Sequence, residues 1–181
     1  MLWYKSWRET RTRFLASVAT LAWVCVVILV LQQQSRLSAH LSYAGYVWSA
    51  IYNDYVRDLY IALTILLAGG TLTQEREHGT AGFTLALPVS RRHLVAVRSA
   101  LGMAQVVALA ALPALLIPAL SALSGEPYDR GQPLRFFPLW ACCGVVTFGL
   151  AHLVATVVRG VATSWLCSFL ALAAYGAAVN A

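Results

Sequence analysis

Five apolar stretches of this chain that could serve as membrane spans carry no Asp, Glu, Lys or Arg: residues 14–35, 59–74, 99–125, 136–158 and 160–181. A helix needs about 20 apolar residues to cross the hydrocarbon of a bilayer, within a range of roughly 17–25. A charge at the centre of such a helix costs about 2.5–3.5 kcal/mol on insertion scales. Four of the stretches are long enough as they stand. The one at 59–74 reaches only about 24 Å as a helix, so its helix begins upstream, among Tyr52, Tyr55 and Val56, with Arg57 and Asp58 near the membrane boundary. Composition agrees: 60% of the 181 residues are hydrophobic and 11% charged, against about 45–50% and 25% in a soluble domain. Such a chain cannot coat a globule in water, and it is too hydrophobic to stay disordered. The expectation is an all-α integral membrane protein. It is one transmembrane domain over 1–181, with spans at about 14–35, 55–74, 94–122, 136–158 and 160–180.

The sign of the charges tests the short stretch. If all five cross and the N-terminus is cytoplasmic, nine of the 13 basic residues lie inside: Lys5, Arg8, Arg11, Arg13, Arg76, Arg91, Arg92, Arg98 and Arg159. Arg36, Arg57, Arg130 and Arg135 lie outside. Without a crossing at 59–74 the balance becomes six inside and seven outside. Basic residues favour the cytoplasmic side, so five crossings are expected, with the C-terminus outside. The first stretch is longer than the roughly 7–15 residues of a signal-peptide core and has no small-residue cleavage site after Gln32-Gln33-Gln34, so it reads as a retained anchor.

Residues 1–13 are too polar to insert. As a helix they put Trp3, Trp7 and Phe14 on one face and Lys5, Arg8 and Glu9 elsewhere. That is an amphipathic interface helix, with Trp3 and Trp7 in the headgroups and Arg8 and Arg11 toward anionic lipid. A plain basic tag with two tryptophan anchors is the other reading. Residues 33–57 form an outer loop in which Tyr43, Tyr46, Trp48, Tyr52 and Tyr55 collect. They read as a boundary belt of aromatics, with a carbohydrate or lipid site as the alternative. Residues 126–135 form a second outer loop with turn chemistry, and Arg159-Gly160 a tight turn that pairs the last two spans in a hairpin. Pro113 and Pro118 interrupt the third span. Proline removes a backbone donor and kinks a helix. Either the kink lines a pathway or the prolines are the ordinary ones of membrane helices.

Motifs for chemistry are missing from the sequence. Cys25, Cys142, Cys143 and Cys167 lie in charge-free stretches without zinc spacing and read as small core residues. His152 is the histidine at mid-membrane depth; no carboxylate shares its stretch, so packing is favoured over a proton relay. There is no nucleophile elbow, no paired metal-binding histidine motif and no phosphate-binding loop, and Lys5 is the single lysine. The chain is not expected to be an enzyme or to hold a cofactor. Its net charge of +6 follows from topology and needs no nucleic acid.

The connection between the second and third spans is more informative. It leaves the membrane at Glu75-Arg76-Glu77-His78, and Gly79 can end the helix in a left-handed cap. Thr80 is a good N-cap for a second, short helix showing Phe83 and Leu87 at i, i+4, which Pro88 stops. Ser90 then caps the third span, with Arg91 and Arg92 in its first turn at the level of the inner phosphates. A helix this short is not stable alone. It needs lipid or protein over Phe83, Leu85 and Leu87; a re-entering loop lying on lipid is the alternative.

Glu75-Arg76-Glu77-His78-Gly79-Thr80 followed by Leu85-Ala86-Leu87-Pro88-Val89-Ser90-Arg91 resembles the signature of ABC transporter permeases of the ABC-2 type. Trp7-Arg8-Glu9-Thr10-Arg11 is similar to the interface helix of that family. The motif covers about residues 69–94, and the looser pattern of spans covers nearly the whole chain. The resemblance implies a membrane subunit that pairs with a separate ABC ATPase subunit, dimerises with itself or another permease, and exports substrate along the dimer interface. It implies a coupling helix between spans two and three that rests on the ATPase. By position, Glu75, Arg76, Glu77, Gly79, Thr80, Phe83, Leu87, Pro88, Ser90 and Arg91 are its contact or shaping residues. The family usually has six spans and a longer chain; this sequence supplies five. A non-transporting assembly or regulatory partner that keeps only the docking face is the alternative function.

Overall fold

No glycine or proline occurs between Trp3 and Val30, so nothing in that stretch ends a helix. The computed structural model describes residues 2–30, 42–53, 55–77, 90–123, 128–129, 131–158 and 160–180. In it the first helix, α1, runs unbroken over Leu2–Val30. The separate interface helix expected over residues 1–13 is therefore absent: the basic segment and the first apolar stretch are one helix, about 44 Å long. Every other element among the described residues is also helical. The order is α2 (Tyr43–Val47), a π-helical stretch (Trp48–Asn53), α3 (Tyr55–Glu77), α4 (Arg91–Leu123), α5 (Gly131–Val157) and α6 (Val161–Asn180). Three segments among the described residues, Trp3–Val30, Arg92–Leu123 and Gly131–Val157, are long and apolar enough to cross a membrane.

The helices form one bundle whose broadest interfaces are α3 with α5, α4 with α5, and α1 with α4. We call the end where α1 starts the lower end. The carboxyl ends of α3 and α5 and the amino ends of α4 and α6 lie there too. The helix α3 touches α1, α4, α5 and α6 and is the bundle's central member.

The core is apolar, built on Leu21, Ile51, Ile65, Leu109 and Ile117, but it also encloses polar side chains, and many large apolar ones face outward. Ser6, Thr10, Ser17, Thr64, Gln105 and Ser164 are buried between helices, while Leu15, Trp23, Leu115, Val146, Leu150 and Leu170 point outward and are exposed. Small and polar residues let helices approach closely, whereas large apolar side chains outside have no reason to be there unless the solvent is apolar. Hydroxyls inside the bundle turn to their own helix: Thr64 donates to Tyr60 O at 2.8 Å, Ser121 to Ile117 O at 2.7 Å and Ser168 to Ser164 O at 2.8 Å.

Aromatic rings seated on glycines fix the register between helices. A Cβ on Gly144 of α5 would stand 1.8 Å from Tyr60 Oη and 2.6 Å from Val106 Cγ1. Only a bare backbone admits the Tyr60 ring there. Tyr60 crosses from α3, stacks on Trp140 at 5.0 Å, and shares its hydroxyl proton between Trp140 O at 3.1 Å and Val106 O at 3.4 Å. One side chain thus joins α3, α4 and α5. Phe148 of α5 sits on Gly102 of α4, and Trp165 of α6 on Gly69 of α3, in the same manner.

Connections follow local chemistry. Ser90 caps α4, accepting from His93 N–H at 3.3 Å through its hydroxyl and from Leu94 N–H at 3.2 Å through its carbonyl. Gly160, at φ 100, makes the short turn between α5 and α6, which pack as the expected hairpin. Asp129 accepts from Gly131 N–H at 2.9 Å and Gln132 N–H at 3.2 Å, starting α5 at Gly131. Residues 131–135 are consequently helix and not loop, with Pro133 in the first turn, where a missing N–H costs nothing. Pro113 and Pro118 lie within α4, which continues through both.

The expected aromatic belt is mostly turned inward. Tyr43, Tyr46 and Tyr52 are buried, and Val47 and Ile51 are fully enclosed, so residues 43–53 cap the upper end of the bundle; Trp48 and Tyr55 remain exposed. Phenol partners explain this for two of the three: Tyr46 Oη donates to Ile28 O at 3.0 Å, and the hydroxyls of Tyr43 and Ser121 bond one another; Tyr52 is enclosed by ring contacts, and its hydroxyl is buried without a hydrogen-bond partner among the described residues. Tyr43 meets Tyr128 edge-on at 5.7 Å. Burial, with Tyr43 and Asp129 adding to it, pushes the Tyr128 phenol up to about 12. The cysteines also differ from expectation. Cys25 is buried, but Cys142, Cys143 and Cys167 are exposed on faces of α5 and α6 that no described helix covers.

Candidate functional site

Those of the residues singled out for contact with a partner that the structure describes lie at the lower end. Glu75, Arg76 and Glu77 form the last turn of α3, and Ser90 and Arg91 open α4. Gly79, Thr80, Phe83, Leu87 and Pro88 lie outside the described residues. Trp3, Trp7, Arg8 and Arg11 are exposed on α1, and the rings of Trp7 and Phe14 lie 5.8 Å apart on one face.

What the sequence did not disclose is how tightly this end is tied together. Glu9 lies 3.7 Å from Arg98 of α4 and 3.8 Å from Lys5. The Arg98 side chain is only 7% exposed, so its charge is held inside the bundle against a carboxylate from another helix. Seven residues further along α4, Gln105 Nε2 donates to Thr10 Oγ1 at 2.8 Å, and Thr10 donates in turn to Ser6 O at 3.1 Å. These contacts anchor the basic amino-terminal turns to α4, which explains why they extend α1 and do not turn aside. A signal was present: Glu9 is the one acid among the first 13 residues, and Arg98 stands seven residues after Arg91 in an otherwise apolar helix.

A second set of ties joins α3 to its neighbours just before the last turns. His152 of α5 stacks on Phe148 at 5.6 Å and lies between Ala68 O of α3, 3.4 Å from Nδ1, and Ser99 Oγ of α4, 3.5 Å from Nε2. A carbonyl only accepts, so Nδ1 carries a proton. His152 therefore packs as a polar bridge across three helices. Beside it, Trp165 of α6 rests on Gly69, and Ser164 Oγ and Trp165 Nε1 are buried without a hydrogen-bond partner among the described residues.

Among the described residues no three His, Cys, Asp or Glu side chains gather where they could hold a metal ion. The lower end offers instead a helix terminus, α3, whose displacement reaches α4, α5 and α6 through Ala68, Gly69 and Tyr60. Comparison of the chain with family models, with curated proteins and with solved structures finds no match.

Proposed function

We propose that the chain is the membrane-spanning permease subunit of an ABC exporter, working with a separate ATPase subunit and a second permease. Five helices cross the cell's inner (plasma) membrane in this reading, α3 and α6 included, and the N-terminus is cytoplasmic. The ATPase rests on the coupling helix between α3 and α4, and its closure moves the lower end of α3. Glu75 and Glu77 meet basic groups of the ATPase, and Phe83 and Leu87 fill a groove on it.

The observation that carries this reading is the position of α3. The helix that leads into the 78–89 connection is the one packed against every other long helix, so force applied there is distributed through the bundle. The order of charge, turn and cap residues from Glu75 to Arg91 adds the resemblance on which the ATPase partner rests.

The test is a pull-down of the tagged full chain from its native membranes, with Walker-motif peptides read by mass spectrometry. Glu75→Ala together with Phe83→Ala is expected to lower ATPase recovery at least about tenfold, the loss of about 1.4 kcal/mol of contact, with membrane insertion unchanged. Equal recovery rejects the docking assignment. So does a reporter tag at His78 that proves accessible from outside the cell.

A further inference from the structure

A furrow runs down the exposed side of α5 in two parts. The upper part, about 230 Å³, is walled by the rings of Trp48, Tyr52, Phe136 and Trp140, with Arg57 at its rim. These rings form a continuous series: Trp48 and Phe136 lie 4.8 Å apart, Phe136 and Tyr52 4.6 Å, and Tyr52 and Trp140 5.7 Å. The lower part, about 650 Å³, lies between α5 and α6 and is lined by apolar side chains such as Val146, Leu150, Val154 and Ala171. Cys143 lines both, so along α5 the second part begins where the first ends.

We propose that this furrow binds one phospholipid, its anionic headgroup at Arg57 and one acyl chain along α5 from Cys143 to Val154. The dimensions match a lipid in a single leaflet. Phe136 to Cys143 rises about 10 Å and Cys143 to Val154 about 16 Å. The hydrocarbon of one leaflet is half of roughly 30 Å, with several ångströms of headgroup region above it. The chemistry changes in the same order as a lipid's: a cation, then rings that favour the boundary, then an apolar channel. Ser168, on the α6 wall, turns its proton to Ser164 O and adds no donor to that channel.

Two features select the occupant. The upper part is smaller than the roughly 300–1,000 Å³ of pockets that enclose a whole small molecule, so it receives the polar end of something longer. Arg57 is about half exposed and, among the described residues, pairs with its neighbour Asp58, at 3.1 Å. An exposed pair of this kind is worth at most about 1 kcal/mol, so a phosphate competes for the guanidinium. The furrow does not depend on the permease reading, and its occupancy is measured without any ATPase.

The experiment uses the full chain in phosphatidylcholine bilayers with a trace of phosphatidylglycerol carrying a photoreactive acyl chain. Label is expected on α5 between Cys143 and Val154. Exchanging about a quarter of the host phosphatidylcholine for unlabelled phosphatidylglycerol should halve the label, a roughly fivefold preference and the effect of about one basic residue at a membrane surface. Arg57→Gln should abolish that preference, and Val146→Trp should remove the label from α5; both positions are exposed, so the bundle is retained. Equal competition by the two lipids overturns the proposal. Label spread evenly over outward residues such as Leu15 and Leu115 overturns it as well, as does displacement by soluble glycerol phosphate alone.

Discussion

Replacing Gly144 by alanine puts a methyl group where Tyr60 now lies. The new Cβ stands 1.8 Å from Tyr60 Oη and 2.8 Å from its Cζ, with Val106 Cγ1 at 2.6 Å on the other side. The ring has to withdraw, and its hydroxyl leaves both Trp140 O and Val106 O. Overpacking of this kind costs about 1–3 kcal/mol, and the lost hydrogen bond adds about 0.5–1.5 kcal/mol. The variant is expected to lose about 2–4 kcal/mol in unfolding by added dodecyl sulfate in mixed micelles, followed by circular dichroism. Tyr60→Phe alone should cost about 1 kcal/mol, because it removes only the hydroxyl. In that background the worst clash is gone, and Gly144→Ala should cost at least about 1 kcal/mol less than it does in the wild type. Additive losses in the double variant would refute the claim that glycine and ring form one contact.

Two further predictions concern charge. Glu9→Gln leaves the enclosed Arg98 guanidinium without its carboxylate; since Glu9 is one-third exposed, the loss should be near 1 kcal/mol and not the roughly 3–5 kcal/mol of a fully buried pair. Lys5→Gln should cost about 0.3–0.5 kcal/mol in the same assay, and equal losses would show that the link to α4 carries no stability. The Tyr128 phenol, raised from 10 to about 12, is favoured in its neutral form by the fold. Its contribution is complete below pH 10 and is lost as pH rises through about 12. Absorbance titration at tyrosinate wavelengths should lose a component near pH 12 in Tyr128→Phe; an unchanged curve would place that ionisation elsewhere.

The parts of this fold legible in the sequence are those decided within one turn of helix. Runs without charge marked the apolar segments, Ser90 announced its cap three residues ahead of the N–H it accepts, and Arg159-Gly160 announced a turn that needs positive φ. Contacts between distant residues left less trace. Tyr60 and Gly144 are 84 positions apart, and a glycine in an apolar run looks the same whether or not a ring rests on it. The tyrosines at 43–52 follow the same logic: aromatic composition fits a boundary belt, whereas the carbonyl at Ile28 and the hydroxyl at Ser121 draw Tyr46 and Tyr43 inside, and ring contacts with Phe136 and Trp140 enclose Tyr52. Small residues usually lie in a core, which is what the sequence suggests for Cys142 and Cys143, but in a bundle with an apolar solvent the outside accepts them equally well. The continuity of α1 was hidden because the Arg-rich turns look detachable until Arg98, far along the chain, is found holding them.

The rings seated on Gly69, Gly102 and Gly144 limit how the bundle can change shape. The seats at Gly102 and Gly144 are one residue long, with Leu101, Met103, Cys143 and Val145 beside them, so a ring that slides along the axis leaves the only gap without a Cβ. Piston-like travel of one helix past another is thereby opposed at two junctions, α4 with α5 and α3 with α5. Rocking about the seated ring keeps every contact, so the ring acts as a pivot. A push on the lower end of α3 is passed on as tilt, and the helices it pivots against splay or close at their far ends.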